Sequence, residues 1–306
     1  MANLQTEIWV PEIAEKLYPD GSYTKRSVND SAFVTHRTVN LAQAGQNPSV
    51  VRNRNTYPAT ATQRGDTNAL YDISEYTSDP TLVTNIEEIE VSYAKRQSVI
   101  LGHARALTLT IHNQVAVDWS PANAANIIRT TGAARAAQVA GATGNRKMIT
   151  LDDIFKLKQA FDDMDIDDEG RCLLLPSYMY NDLMNVEKEI LLRMDFTGEA
   201  RVESGSIKKL LGFDIYTRGK KNVLQYTNAA NPVVRAIDAT ASQTANVAAL
   251  AWHQDYVRFA EGDILPFYDE NNPIYYGSIF SALARAGGKK WYSDETGVMA
   301  LVESAA

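Results

Sequence analysis

Residues 42–67 form a long polar segment between two stretches that resemble β-strands. Phe33–Leu41 alternates in the two-residue period of a strand, and Ala69–Tyr76 is a second candidate strand. The segment between them is rich in Asn, Gln, Thr and Arg, and its few core candidates are Val50, Val51 and Tyr57. Hairpin loops normally take about 2–5 residues, and long structureless loops are uncommon inside compact domains. Disorder is one interpretation; the flanking strands favour the other, a two-stranded finger that lies on a neighbouring subunit.

A long helix is predicted over Ser92–Asp118, which contains no proline and is followed by Pro121. One face carries Tyr93, Ile100, Ala104, Leu107, Ile111 and Val115 at helical spacing. Such a helix is about 40 Å long at a rise of about 1.5 Å per residue. Gly102 in its interior costs about 1 kcal/mol relative to alanine, so we expect packing along its whole length to stabilise it.

Short strands and helices alternate over residues 126–260, which is typical of an α+β fold. The signals are a strand near Asn126–Arg129, a helix that starts with the capping sequence Thr150–Asp153, a buried strand Arg171–Leu175 ended by Pro176, a helix capped by Ser177, and a strand Phe213–Tyr216 entered through Gly212. Two further strands are predicted at Tyr275–Ala286 and Val298–Val302, with a turn between them.

Composition excludes several classes of partner. The longest apolar runs, Leu173–Leu175 and Val247–Trp252, are far shorter than the roughly 18 residues of a membrane span. The chain starts without the basic-then-apolar pattern of a signal peptide. Its single cysteine fits a reducing compartment. The net charge of −7, without a basic stripe, argues against tight binding to nucleic acid. We therefore expect no membrane partner and no sequence-specific contact with DNA.

Two motifs resemble a calcium-binding loop and a phosphate-binding loop, but each lacks residues that such a loop requires. In the acidic run 162–170, Asp163, Asp165 and Asp167 match the first positions of an EF-hand. However, Asp168 replaces the required glycine and Leu174 replaces the final glutamate, so a solvated helix end is the better interpretation. The sequence 141–147 lacks the glycine spacing and the Lys-Ser/Thr ending of a phosphate loop, and we interpret it as a flexible connector.

Cys172 is the one candidate nucleophile, with His103, His112 or His253 as its base. It lies in an apolar strand, where a buried, inert thiol is the usual state. His103 and His112 are nine residues apart on one helix and do not share a face, which makes them a poor metal pair. We therefore predict no catalytic, cofactor-binding or metal site.

The candidate functional residues are instead contacts between subunits, contributed by the finger: Arg37, Arg52, Arg54, Tyr57 and Arg64. Arginine forms forked pairs with carboxylates and is enriched at interfaces, so an acidic patch of a partner subunit is a natural target. The alternative, a solvated basic loop, stays open for each single arginine.

The order of these pieces resembles the major capsid proteins of tailed double-stranded DNA phages, whose fold is named after phage Hong Kong 97 (HK97). The matching landmarks are Ser92–Gln97 through Trp119–Pro121, Leu174–Ser177 followed by Tyr180 and Leu183, Gly205–Ile207, Leu211–Tyr216, Ala251–His253 and Thr296–Val298. The resemblance implies an N-terminal arm (1–31), an extended loop (32–80), a peripheral domain (81–125 and 260–306) with spine helix 92–118, and an axial domain (126–259).

The resemblance also implies a function without enzymatic activity or cofactor. Copies of the chain are expected to form hexamers and pentamers of an icosahedral shell that encloses the phage genome. The shell would assemble in the bacterial host cytoplasm and become part of the virion. Scaffolding, portal and decoration proteins are the expected partners. Residues 41–94 contain no lysine, which argues against the covalent lysine–asparagine links of the family's namesake.

Three other functions stay open at this point. An encapsulin-like cellular compartment resembles the same fold and holds protein cargo. Another virion part, such as a tail or connector protein, would form rings or tubes. A soluble hydrolase would depend on Cys172.

Overall fold

The computed structural model of the protein describes residues 22–43, 49–58, 61, 63, 65, 67–84, 95–139, 141–186, 200–201, 206–207, 209–219, 222–237 and 245–306. The α-helices in this part of the chain are α1 (Lys95–Trp119), α2 (Leu151–Asp163) and α3 (Ser177–Val186). The strands are β1 (Val28–Asn29), β2 (Val34–Thr35), β3 (Thr38–Gln43), β4 (Thr67–Asp72), β5 (Ser74–Thr77), β6 (Thr81–Thr84), β7 (Ile127–Arg129), β8 (Ala134–Ala136), β9 (Asn145–Lys147), β10 (Arg171–Pro176), β11 (Ala200–Arg201), β12 (Ser206–Ile207), β13 (Lys209–Leu210), β14 (Phe213–Arg218), β15 (Leu224–Thr227), β16 (Val234–Arg235), β17 (Ala245–His253), β18 (Val257–Asn272), β19 (Gly277–Lys290) and β20 (Val298–Val302).

An eight-stranded sheet lies between two layers of apolar side chains. β17 pairs with β10, β15 and β20, and β20 pairs in turn with β7. Successive residues of β17 belong to opposite cores: Leu250 and Trp252 face the core that includes α1, whereas Ala249 and Ala251 face the core that includes α2 and α3. A strand buried on both faces needs an apolar side chain at every position. This explains the uninterrupted apolar run 247–252.

A five-stranded sheet supports the long helix. The strand order is β1-β18-β19-β5, with β6 also paired to β19, and the α1 helix packs on β19. The predicted apolar face is confirmed for its described members, because Ile100, Ala104, Leu107, Ile111 and Val115 are all buried; Tyr93 lies outside the described residues. Gly288 allows this close packing, since an added Cβ would be 2.9 Å from the Trp119 ring.

The end of the predicted N-terminal arm is docked on its own subunit. Tyr23 is buried, its hydroxyl donates to the His112 carbonyl, and its ring meets Trp119 and Trp252 edge-on at 6.0 and 5.9 Å. β1 pairs in parallel with β18. Residues 22–30 of the arm 1–31 that the resemblance implies therefore pack on their own subunit. Residues 1–21 lie outside the described part.

Both strands predicted beside the polar segment are divided in two. The first is interrupted at His36, which has a left-handed φ of 58°, so that β2 and β3 form a tight hairpin. The second divides at Ile73, where β4 ends and the chain crosses to the five-stranded sheet as β5. Ile73 is buried and its N–H donates to the Arg37 carbonyl at 2.8 Å. Buried packing at this residue, which the alternation pattern does not reveal, explains the switch.

The acidic run after α2 has a structural partner. The guanidinium of Arg171 is buried and forms ion pairs with Asp162 at 2.8 Å and Asp168 at 2.9 Å. It also donates to the carbonyls of Ile166 and Asp167. The solvated helix end predicted here is thus only partly correct, because two of the carboxylates stabilise a buried arginine.

Asp118, in the last turn of α1, makes stability depend on pH. Burial raises the pKa of its carboxyl from 3.8 to about 6, although the side chain of Gln114 donates to it at 2.8 Å. Because the folded-state pKa lies above the unfolded value, the folded state binds the proton more tightly, and stability falls as pH rises from about 4 to about 6. We expect Asp118→Asn to remove this slope and to raise the unfolding free energy at pH 8 by about 1–3 kcal/mol.

Urea unfolding of both proteins at pH 4.5 and pH 8 measures this effect. Asn keeps an oxygen that accepts from Gln114, so the comparison isolates the charge. Identical pH slopes for the two proteins would show that Asp118 is not the titrating group.

Candidate intersubunit surface

The finger is a two-stranded ribbon that projects from a fixed base. β3 and β4 pair in register from Thr38↔Asp72 to Gln43↔Thr67. Near the base, Val39, Tyr71 and Ile73 pack on Ala260 of the five-stranded sheet. Such burial at one end, with pairing that continues outward, defines a ribbon that is anchored to its own subunit at the base.

Polar contacts fix the same base. The Tyr71 hydroxyl donates to the buried Asp30 carboxylate at 3.1 Å, and Arg258 forms an ion pair with that carboxylate at 3.2 Å. Lys289 donates to the Leu70 carbonyl at 2.7 Å. Burial beside Asp30 strongly raises the pKa of Tyr71, so the phenol stays protonated and continues to donate. The direction of the ribbon is therefore set by several independent contacts.

The distal part of the finger exposes apolar side chains. Val50 is 93% exposed, Tyr57 is 76% exposed, and Val51 is exposed as well. The hydrogen bond described within residues 49–58 joins the neighbours Thr56 and Asn55. Adjacent exposed valines have no role in the core of this chain. Apolar groups concentrated at the end of a projecting ribbon indicate a contact surface for another molecule.

The structure separates the predicted contact residues into two places. Arg37 is exposed in the turn at the base, whereas Arg52 and Tyr57 are exposed, and Arg54 half-buried, beyond the far end of β3. The six residues of β3, about 20 Å of strand, stand between Arg37 and the segment that carries the distal residues along the chain. Arg64 lies outside the described residues. Arg37 therefore precedes β3 in the chain, whereas Arg52, Arg54 and Tyr57 follow it.

A second projecting surface was missed in the sequence. β18 and β19, of 16 and 14 residues, form a long hairpin whose tip is the turn 273–276. Ile274 is 75% and Tyr276 is 80% exposed, and Tyr275 is also exposed. The strand predicted to start at Tyr275 therefore starts at Gly277, because Asn272 caps a turn by accepting from the Ile274 N–H at 2.9 Å. The sequence Asn-Asn-Pro before an aromatic pair was the signal for this turn.

The hairpin also exposes an apolar patch on the face of the sheet opposite α1. Leu265 and Phe267 alternate on β18, and Leu82 of β6 is exposed nearby. At one end of this face, Arg285 forms ion pairs with Glu75 at 3.1 Å and Asp263 at 3.7 Å. This face therefore combines exposed apolar side chains with carboxylates that pair with Arg285.

The residues considered for catalysis lie in different surroundings. Cys172 is buried, and burial raises the pKa of its thiol to about 12, so the nucleophilic thiolate is disfavoured. His103 contacts Ser78, His112 contacts Ser22, and His253 contacts the Glu169 carbonyl. These contacts hold the three imidazoles in different parts of the subunit. The described geometry contains no cysteine–histidine pair of the kind a hydrolase needs.

Two further searches cover only the described residues. In that part of the chain, no three His, Cys, Asp or Glu side chains are grouped to hold a metal ion. Likewise, none of the described helices combines the length and apolar character needed to cross a bilayer.

Comparisons with known proteins give structural matches. No protein family and no curated protein matches the sequence. The capsid structure of Cyanophage P-SCSP1u matches with a TM-score of 0.62 at 17% identity, over 90% of this chain and 86% of that chain. The capsid of Ralstonia phage GP4 matches with a TM-score of 0.60 at 9% identity, over 93% and 88%. A virus-like particle from Pyrococcus furiosus matches with a TM-score of 0.53 at 10% identity, over 97% and 99%.

These matches extend over about nine-tenths or more of this chain and 86–99% of each matched chain, so they concern the fold as a whole. The predicted α+β class and HK97-like architecture are confirmed. This chain has the fold of tailed-phage capsid structures, the HK97-like fold.

Proposed function

We propose that this chain is the major capsid protein of a tailed double-stranded DNA phage, a structural protein that self-assembles into the icosahedral shell around the genome. The observation that carries the proposal is the match to phage capsid structures over about nine-tenths of the chain. The finger and the hairpin tip support it independently. Both expose apolar side chains that a monomer leaves in water.

In this proposal the projecting surfaces bind neighbouring copies in hexamers and pentamers. The finger contributes Arg37, Arg52, Arg54, Tyr57 and Arg64, and an acidic patch of an adjacent copy is their proposed target. Each such contact is modest, and the closed symmetry of a shell repeats it many times. Because residues 41–94 lack lysine, the shell is held by noncovalent contacts or by another protein.

The domain division stays part of the proposal: arm 1–31, extended loop 32–80, peripheral domain 81–125 and 260–306, and axial domain 126–259. The eight-stranded sheet supports the axial assignment. However, β20 pairs with β17 and β7, so the segment Val298–Val302 joins that sheet although it falls in the range assigned to the peripheral domain.

We place the protein in the virion, assembled in the host cytoplasm, with scaffolding, portal and decoration proteins as partners. DNA lies inside the shell without sequence-specific contact, in keeping with the net charge of −7. No membrane partner is part of this assignment.

Electron microscopy of the purified protein tests the proposal. The expected result is closed shells of uniform diameter, alone or on addition of a scaffolding protein. Rings or tubes would indicate a tail or connector protein. Monomers at all concentrations, with and without scaffold, would contradict a shell function.

An encapsulin-like compartment is the second candidate, because the virus-like particle of Pyrococcus furiosus matches 97% of this chain and 99% of its own. The contents of shells isolated from the native source discriminate the two functions. Packaged double-stranded DNA supports the phage capsid. An enclosed protein without DNA would support the compartment.

The hairpin tip gives a prediction about assembly. Ile274→Asp is expected to leave the subunit's unfolding free energy within about 0.5 kcal/mol, because the side chain is exposed. The same change should weaken assembly at least about tenfold, since a charge would be buried in an apolar contact. Light scattering against subunit concentration measures assembly, and urea unfolding measures stability. Asp269→Asn, an exposed change lower on the same hairpin, is the matched control; unimpaired assembly of Ile274→Asp would remove the tip from the interface.

A further inference from the structure

Arg218, the last residue of β14, carries a guanidinium that lacks a counter-charge among the described residues. Its Nη2 donates to the Asn113 Oδ1 at 2.5 Å, and the guanidinium lies 5.6 Å from the centre of the Tyr23 ring. Within the described part of the chain, its Nη1 is buried without a hydrogen-bond partner, and no carboxylate forms an ion pair with it. One donor of a charged group is therefore left for a ligand to complete.

A small cavity lies beside this guanidinium, between α1 and the eight-stranded sheet. Arg218 and Asn222 are its polar lining residues, and the rest of the described lining is apolar, with Ala116 on the helix and Leu174 and Leu250 on the sheet. Its volume is about 10 Å³, which is the room that a single water-sized particle needs. A monatomic guest therefore fits, whereas a phosphate or a carboxylate group is too large.

The polar side chains at the cavity present donors. The Asn113 amide donates to Oδ1 of Asn222 at 3.4 Å, so the NH2 group of Asn222 is the part of that side chain left to bind a guest. This group and the Arg218 Nη1 both offer hydrogens to the cavity. A water molecule would accept both hydrogen bonds, but its own hydrogens would meet apolar side chains. An anion only accepts, so it suits a site made of donors and apolar groups.

The electrostatic surroundings of Arg218 also favour an anion over a neutral guest. Burial, and next the positive charge of Arg218, lower the pKa of His112 to about 4, so this imidazole stays neutral at pH 7. Burial lowers the pKa of the Arg218 guanidinium as well. Residues 218–221 read Arg-Gly-Lys-Lys and contain no carboxylate. A single negative charge beside Arg218 would offset an electrostatic cost that the described residues leave uncompensated.

We propose that the cavity beside Arg218 binds one monovalent anion of halide size, held by the Arg218 Nη1 and the NH2 group of Asn222. The site lies within one subunit and is independent of the proposed shell function. Arg218 joins β14 to α1 through Asn113 and to the N-terminal segment through Tyr23. The bound anion therefore stabilises a junction of three parts of the fold, and the subunit's stability depends on which anion is present.

Thermal unfolding at constant ionic strength tests the site, with chloride as the probe. Sodium gluconate, whose anion is too large for the cavity, is replaced stepwise by sodium chloride, so that general screening stays constant. We expect the thermal midpoint to rise by at least about 2 °C and then to level off as the site fills. Bromide, which is also monatomic, should act in the same way. A midpoint that shows no saturable rise with either halide would overturn the proposal.

Arg218→Gln separates binding in the cavity from other effects of salt. Glutamine keeps an N–H that donates to Asn113 but removes the charge and the Nη1 donor. Its saturable response to chloride should be lost, whereas Arg105→Gln, which changes an exposed arginine on α1, should retain the full response. Equal chloride responses of Arg218→Gln and the wild type would place any bound halide elsewhere and contradict the assignment.

Chloride NMR of the folded wild type gives a measurement that does not depend on a variant that folds. Exchange of chloride with a protein site broadens the chloride resonance, and an excess of bromide displaces the bound ion. We expect a broadening that is proportional to protein concentration and is removed by bromide. A line width equal to that of the buffer, or one that bromide leaves unchanged, would show that a water fills the cavity and that the anion site does not exist.

Discussion

Replacing residues 44–66 by Asn-Gly is expected to give a folded subunit that no longer assembles. The register Gln43↔Thr67 places the two strands so that a two-residue turn can close the hairpin. The base contacts of Val39, Tyr71 and Ile73 lie outside the deletion and keep the ribbon attached. A contact worth about 2 kcal/mol per subunit changes the concentration needed for assembly about 30-fold, and the deletion removes the whole distal surface.

Size-exclusion chromatography and electron microscopy check this result, with urea unfolding as the test that the subunit is folded. A Gly/Ser segment of the same length as residues 44–66 is the matched control, because it retains the reach of the finger without its side chains. It should also fail to assemble. Shells formed by either variant would show that the distal finger does not hold the copies together.

Trp252→Ala should produce the largest loss of stability of the single changes considered for this chain. Trp252 is fully buried, its ring lies 5.5 Å from that of Trp119 and 5.9 Å from that of Tyr23, and its Nε1 donates to the Arg26 carbonyl at 2.8 Å. The residue thus joins β17, α1 and the N-terminal segment. Truncation of a buried tryptophan costs about 3–5 kcal/mol through lost burial and a residual cavity. The change also leaves the Arg26 carbonyl without this donor.

Urea unfolding followed by tyrosine fluorescence or circular dichroism measures the loss as a lower midpoint at unchanged slope. Trp252→Phe is the matched control: it keeps a ring in the cavity and loses the donor, so its loss should be clearly smaller than that of alanine. Equal losses for the two variants would mean that the Arg26 hydrogen bond, rather than ring packing, dominates at this junction.

Features that depend on local periodicity were predictable from the sequence. The apolar spacing of the helix reports burial that repeats along one segment, and the Gly212 turn reports a local backbone requirement. Gly212 has a φ of 90°, a conformation that side-chain-bearing residues rarely adopt. Such signals are read within one element and need no knowledge of its neighbours.

Features set by distant partners were not predictable in the same way. Tyr23 resembles any tyrosine of a polar segment until His112 and Trp119 surround it. The sequence does not reveal what compensates the charge of Arg171 until four acceptors from the end of α2 and the loop after it meet its guanidinium. The switch at Ile73 depends on which sheet receives each half of the strand. In each case the deciding contact lies across the fold, so no window of neighbouring residues contains it.

The candidate contact surface was predicted in part for the same reason. The arginines and Tyr57 were selected because the polar segment stands out in composition. The hairpin tip was hidden because Tyr275 and Tyr276 were expected to lie inside a strand.

The pairing of β20 with β7 has a consequence for how the newly synthesised chain folds. Ala300 lies in parallel register with Ile127, so early and late parts of the chain must meet before the central sheet is complete. Closing so large a loop is entropically unfavourable, and folds dominated by such distant pairings form slowly. Newly synthesised chains should therefore spend an appreciable time with this sheet edge open, when chaperones can bind and aggregation competes. The rate at which assembly-competent subunits appear is then set by folding rather than by translation. Their concentration early after synthesis stays low as a result.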